Sequence, residues 1–535
     1  MPSGVSPGQP PPSITDEPRN HLSIMTFHSI LFLNPQDRIS AESREAPACF
    51  VDLNLDQIVD AVTATKGEYN LRPFFYSPLT DIDAIEYRHE IMRDLENSAV
   101  FSHIMKFADA MRSMRAHLVQ ADKLHHRHQK ERWFLDAVGI YCNAVNQLSD
   151  DLAAADLRSR GFLAFREYLL NYKASARFTS LLAETQTLNA SMSAIKYSVL
   201  IREGCFTVRR YDSETDYSVD VEQTFEKFKQ GVVKNYTVKF SDPPDMNHIE
   251  EKVLDFVALL YPDEFRELDA FSKNNSSFFD ESIAGFDREI QFYIAYLNYI
   301  ATLKRGGLTF CYPTLTLGAK EVYGHEAFDL ALAHKLAGEG VPVVCNEFHL
   351  SGEERILVVS GPNQGGKTTF ARMFGQLHYL ASIGCPVPGG DAQLLLFDRL
   401  LTHFEKQEDI RTLRGKLEDD LFRIHGILNQ ATSNSIVIIN EIFTSTSLSD
   451  AIFLGRKIIE RIADLDSLCV CVTFIDELAA LIRKTVSMVS TVLPEDPATR
   501  TFKVVRQPAD GLSYAISIAE KYRLTYDCLK ERIQS

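Results

Sequence analysis

Apolar positions recur three and four residues apart over residues 53–195, the spacing that gathers side chains on one face of a helix. Leu135, Val138, Tyr141, Val145, Leu148 and Leu152 make one such stripe, and Val100, Ile104, Phe107 and Met111 make another. The period then shortens. Residues 205–210 and 232–240 alternate as strands do, joined by a polar segment and a short helix near residues 224–228. Helical spacing returns at Val253, Phe256, Val257 and Leu260, and again at Ile283, Phe286, Ile290, Ile294 and Leu297. Long helices thus bracket a small β-containing insertion.

From about Gly307 the pattern becomes α/β. Apolar runs at residues 356–360, 394–397, 436–439, 468–473, 486–493 and 501–505 read as strands, with helical stretches between several of them. This alternation predicts a sheet with helices on its faces, and a ligand site at the carboxyl ends of the strands.

Length and composition bound this picture. A chain of 535 residues exceeds one ordinary core, so two to four domains are expected, and an apolar share of 45% is that of a globular protein. Residues 1–20 are rich in Pro, Ser and Gly without a basic start or an apolar core, and read as a disordered tail rather than a secretion signal. No apolar run reaches bilayer length. The nine cysteines lack metal-ligand spacing, and Cys469 and Cys471 alternate along a strand, which points to packing in a reducing, cytoplasmic setting. A net charge of −16 argues against coating nucleic acid over the whole surface, although a local basic patch remains compatible with it.

The chemistry is concentrated after the apolar run 356–360. Gly361-Pro362-Asn363-Gln364-Gly365-Gly366-Lys367-Thr368 is a phosphate-binding loop between a strand and a helix. Glycines let the backbone curl so that its N–H groups face phosphate oxygens. Lys367 would reach the outer phosphates, Thr368 would offer its hydroxyl to Mg²⁺, and the helix beginning near Thr369 would present its positive end. A second polar point is Asn440-Glu441, at the end of the apolar run 436–439. In P-loop ATPases of this layout the first position helps hold Mg²⁺ and the following carboxylate acts on the attacking water. Asn440 lacks the usual charge, so weaker Mg²⁺ handling is expected. Glu441 fits the catalytic role beside Lys367.

These residues carry a family resemblance. The loop, with its internal Pro362-Asn363, closely resembles that of MutS-type DNA mismatch-repair ATPases. Val387-Pro388 resembles that family's Val-Pro turn, Asn440-Glu441-Ile442 with Thr446, Ser447 and Asp450 its Walker B and dimer-contact segment, and Ser513-Tyr514 its late Ser-Tyr-Gly helix start. Asn346 and Phe348 fall where the family has a turn beside the adenine, so Phe348 is a candidate to stack on the base. The motif match covers residues 341–524; over residues 53–300 the likeness is one of architecture only.

The resemblance implies an α/β P-loop NTPase domain of ABC type over residues 307–535. It would follow an all-α core and lever over 21–200, a clamp-like insertion over 201–245 and returning helices over 246–306. It implies ATP and Mg²⁺ as ligands and a homodimer whose partner completes each site. Gly415 and Lys416 align with the family's trans-acting Ser-Thr pair, and Lys416 could offer its charge to a γ-phosphate across the dimer, while the segment holding Thr446 and Ser447 would lie at the dimer contact. The family's switch histidine is replaced by Phe474, which puts hydrolysis and coupling in question more than binding.

Mispair-reading members carry an N-terminal Phe-x-Glu motif, and none occurs in the roughly fifty residues before the helical core, so direct mismatch reading is not expected. DNA contacts are expected in the insertion, where Arg209, Arg210, Lys227, Lys229, Lys234 and Lys239 gather with Tyr211 and Tyr236. The interleaved Asp212, Glu214, Asp216, Glu222 and Glu226 fit a solvated charged surface equally well. His125 and His128 share a helix face without a third ligand nearby, and Thr80 or Asp81 is expected to cap a helix. The leading expectation is a MutS-like ATPase that switches a helical clamp on DNA. The alternative is a nucleotide-gated scaffold for a protein partner, with weak or absent hydrolysis.

Overall fold

The computed structural model describes residues 27–42, 44–213, 246–405, 415–509, 524–526 and 529–530. In the first half, helices Ile82–Glu96, Ser98–Lys123, Arg127–Ala154, Arg160–Ala174 and Ala176–Ala194 follow one another. The chain returns through His248–Leu260, Pro262–Asn274 and Glu281–Arg305. Several starts are capped by side chains: Asp81 accepts from Asp83 N, Asn97 from Ala99 N, Ser159 from Phe162 N and Asp280 from Ser282 N. Each cap pairs an N–H that a helix start leaves without a partner. Both predicted stripes, from Leu135 to Leu152 and from Val100 to Met111, are buried. Helix Glu281–Arg305 is buried on nearly every side and forms the centre of this half. In His248–Leu260 only Val257 is buried, while Phe256 is 42% exposed against Phe206.

A hairpin leaves the helices. Strand β1 (Tyr197–Arg202) pairs antiparallel with β2 (Cys205–Arg210) through a turn in which Glu203 (φ 50°) and Gly204 (φ 80°) are both left-handed. Two positive φ values in succession are what a tight hairpin matching the strands' twist requires. β1 begins at Tyr197, after the helical pattern of residues 53–195 ends and four residues before the insertion boundary expected at 201. The expected strand at 232–240 and the helix near 224–228 fall outside the described residues.

The second half holds β3 (Phe310–Cys311), β4 (Thr314–Thr316), β5 (Val322–Ala327), β6 (Asn346–Leu350), β7 (Ile356–Ser360), β8 (Val387–Pro388), β9 (Asp391–Leu395), β10 (Leu400–His403), β11 (Ile436–Asn440), β12 (Leu468–Val472), β13 (Thr485–Leu493) and β14 (Asp496–Arg506). The main sheet runs β10-β11-β12-β7-β13-β14, parallel except for β14. Its inner strands β7, β11 and β12 are buried throughout, as unbroken apolar runs covered on both faces must be. Beside it lies a mixed sheet, β4-β9-β5-β6. The run at 394–397 belongs partly to β9 in this second sheet rather than to the main one. Val387-Pro388, expected as a turn, pairs as β8 with β3.

Helix Lys367–Ser382 joins the two halves. A Cβ at Gly375 would lie 2.7 Å from Ile438 Cδ1 and 2.8 Å from Leu53, so glycine lets this helix sit between β11 and the helical half. Arg372 Nε donates to Asp52 O at 2.9 Å, Gln376 Nε2 to Leu53 O at 2.9 Å and Tyr379 OH to Phe75 O at 2.8 Å. The fully buried Arg88 donates to Leu31 O at 3.0 Å and to Ile383 O at 2.8 Å, with the rings of Phe32 and Phe292 each 5.3 Å away. One hydrophobic core therefore runs from the helices into one face of the sheet, and a second, around Val358, Ile439, Ile459 and Cys471, covers the other face.

Candidate functional site

Strand β7 ends at Ser360, and the loop after it turns through Gly361 (φ 115°), Gln364 (φ 59°) and Gly366 (φ 97°) before the helix begins at Lys367. Neighbouring β13 makes the glycines necessary. A Cβ at Gly361 would lie 2.8 Å from Ser490 O, and one at Gly365 would lie 2.2 Å from Ser490 Oγ. Ser490 Oγ donates to Gly365 O at 2.6 Å and fixes the curl. Pro362 and Gly365 are buried while Asn363 and Gln364 form the exposed crown, and Arg500 Nε donates to Asn363 O at 3.2 Å.

Lys367 is buried, its ammonium donating to Gly361 O at 2.9 Å and Pro362 O at 3.1 Å and lying 4.4 Å from the centre of the Phe474 ring. Burial pulls its pKa below the usual lysine value; Glu441 opposes this shift and Arg500 adds to it. On the next residue, Thr368 Oγ1 donates to Asn440 Oδ1 at 2.9 Å. Asn440 is buried at the end of β11, and Thr369 is half-buried in the first turn.

Glu441 follows in a left-handed conformation (φ 54°), its N–H donating to Val472 O at 2.9 Å. A non-glycine residue held there costs energy, and such positions cluster at functional sites. Burial raises the Glu441 pKa, Lys367 counters it, and Glu405 pushes it further up. A carboxylate set this way holds a proton more tightly than an exposed glutamate and is the stronger base.

Phe348 is not at the site surface. Its ring is 2% exposed in β6, packed over Gly324 and edge-on to Phe374 at 4.9 Å, so the base-stacking role expected of it is corrected. An apolar side chain on the inward side of a strand joins the core. Asn346 is instead a clamp on β14, donating to Phe502 O at 3.2 Å and accepting from Val504 N at 2.8 Å. Besides Phe474, an aromatic residue beside the loop is Phe502, 49% exposed, left-handed (φ 59°), with its Cα 3.6 Å from where a Gly366 Cβ would stand. Sequence reading passed over it because nothing local signals the register irregularity in the β13–β14 pair.

The trans-acting candidates lie on helix starts. Gly415 precedes helix Lys416–Gln430, and Lys416 pairs with Glu405 of its own chain. Ser447 caps helix Leu448–Asp464, accepting from Asp450 N at 3.2 Å and donating to Asp450 Oδ2 at 2.7 Å, with Thr446 half-buried before it.

Of the DNA-contact candidates, Lys227, Lys229, Lys234 and Lys239 lie outside the described residues, as do Ser513 and Tyr514. Arg209 is exposed on β2. Arg210 is an anchor of the hairpin, donating to Leu260 O at 3.1 Å and covering the Tyr261 ring at 4.7 Å. The histidine pair does not share a helix face: His125 lies exposed between two helices, His128 Nδ1 is 2.9 Å from Glu131 Oε2, and the neighbouring His126 Nε2 is 3.1 Å from Asp255 Oδ1. Among the described residues no group of three His, Cys, Asp or Glu side chains is placed to hold a metal, and no helix is long and apolar enough to cross a membrane.

A largely parallel sheet with a glycine loop between its inner strand β7 and the next helix, and a polar pair after the apolar run of β11, is the layout of an α/β P-loop domain. Residues 357–532 match the family model of MutS domain V, so this part of the chain is similar to that domain. It is similar to the DNA mismatch repair protein MutS of Chlorobaculum tepidum, 31% identical over 192 residues, which are 35% of this chain and 22% of that protein. It is also similar to the DNA mismatch repair protein MutS of Chloroflexus aurantiacus, 34% identical over 124 residues, 23% of this chain and 13% of that protein. The chain thus covers well under half the length of these relatives.

Proposed function

We propose that this protein binds Mg-ATP at the phosphate loop, in sites completed by a second copy of the chain, and uses ATP to switch its helical half on DNA. The observation that carries the reading is the convergence of Lys367, Thr368, Asn440 and Glu441 at one end of a helix whose other end is bonded into the helical half. The donor set fits the ligand: a loop kept open where a Cβ would collide, a lysine, a hydroxyl and an amide oxygen. Thr368 and Asn440 would hold Mg²⁺, which supplies positive charge against the phosphates. Lys367 binds the outer phosphates, the loop N–H groups orient them, and Glu441 takes the proton of the attacking water.

Movement of the loop helix would reach Leu53 and Phe75 through Gln376 and Tyr379, which supports nucleotide control of the levers. DNA contact is assigned to the insertion, with Arg209 and the lysines that follow it, and rests on backbone charge rather than on mismatch reading. Steady-state hydrolysis measured with and without branched duplex tests this, stimulation being expected. The second reading, a nucleotide-gated scaffold for a protein partner, is favoured by Asn440 and Phe474. A near-zero rate that DNA leaves unchanged would select it.

A further inference from the structure

We propose that Phe474 is an affinity-setting residue of the nucleotide site, an autoinhibitory cap that engages the Lys367 ammonium and must release it before phosphate can be held. The inference rests on the reading of the loop as an ATP site and adds to it a residue that lowers affinity.

The ammonium of Lys367 has three N–H bonds. Two directions are taken by Gly361 O at 2.9 Å and Pro362 O at 3.1 Å, and the face of Phe474 lies 4.4 Å away on a third side. A cation over an aromatic face is held by the ring's negative quadrupole, more strongly where water is excluded, and Lys367 is buried. Phosphate oxygens draw on the same ammonium, so the two partners compete for it. The ring is placed to let go. It is 48% exposed and stands on the loop after β12, where Thr473 Oγ1 accepts from Ile475 N at 3.0 Å and fixes the backbone, so one side of the ring meets the ammonium and much of the rest is open. Asp476 follows on the same segment and Glu441 stands just after β11, both acting on the lysine's charge, so the ammonium keeps acidic neighbours when the ring withdraws.

The test is calorimetric titration of the full chain with a non-hydrolysable ATP analogue and Mg²⁺, comparing wild type, Phe474→Leu and Phe474→Trp. Leucine keeps apolar volume but has no π face, and binding should tighten about three- to tenfold; tryptophan has the stronger face, and binding should weaken. In the ligand-free chain, acylation of Lys367 followed by mass spectrometry should be faster in Phe474→Leu and slower in Phe474→Trp. Equal or weaker analogue binding by Phe474→Leu, with wild type binding normally, overturns this proposal alone. Lack of binding by wild type overturns the ATP reading and this proposal with it.

Discussion

Thr368 Oγ1 donates to Asn440 Oδ1 across 2.9 Å, tying the first turn of the loop helix to the end of β11 with two uncharged groups. A carboxylate at the second position would strengthen both this bond and the hold on a cation. Asn440→Asp should therefore lower, several-fold, the Mg²⁺ concentration that gives half-maximal nucleotide binding. Asn440→Leu leaves the Thr368 hydroxyl without its acceptor, a loss of about 1–2 kcal/mol. Titrations at a series of Mg²⁺ concentrations read both effects.

Gly365→Ala should damage the loop without damaging the fold. Its Cβ would stand 2.2 Å from Ser490 Oγ, so β13 and the loop must part. Adding Ser490→Ala removes that atom, and nucleotide binding should partly return in the double variant. Failure of the second change to restore binding would place the obstruction at Pro362 O, 3.0 Å from the same Cβ.

Glu441→Gln should keep nucleotide binding and lose turnover, by about a hundredfold or more if the carboxylate is the general base. The wild-type rate should rise with pH. Burial lifts the Glu441 pKa, so the ionised, proton-accepting form appears at higher pH than for an exposed glutamate. A hydrolysis profile with no such limb, or a variant as fast as wild type, would remove Glu441 from the mechanism.

Acid should weaken the joint between the two halves. Burial lowers the pKa of His378, on the loop helix, to about 4 and that of His89 to about 3, both from 6.5. Between these folded and unfolded values the unfolded chain binds more protons, so stability is complete above about 6.5 and declines as pH falls toward 4. Thermal midpoints measured from pH 7 down to pH 5 should fall, and His378→Gln should flatten the slope. An unchanged slope would show that His378 does not contribute.

What could be read from the sequence follows from how local each signal is. The stripe from Leu135 to Leu152 and the buried runs of β7, β11 and β12 are set by period and continuity, and the structure has them. Glycines before Lys367 marked the loop because backbone curl is written into residue type. Phe348 shows where such reading stops: an aromatic near a motif can face the site or the core, and only pairing of β6 with β5 decides. The second sheet was missed because a strand such as 314–316 carries too few positions to show a period, and β1 because it follows the helix Ala176–Ala194 almost without a break. The contact of Phe474 with Lys367 joins residues far apart in the chain, and no local pattern encodes it.

Whether the loop at Gly361 to Thr368 is a working nucleotide site is decided by calorimetric titration of wild type and Lys367→Ala with Mg-ATP. Wild type should bind saturably, and binding should be lost in a Lys367→Ala variant that still unfolds cooperatively, since the ammonium is the loop's own buried cation. Equal affinity in the two proteins would contradict it.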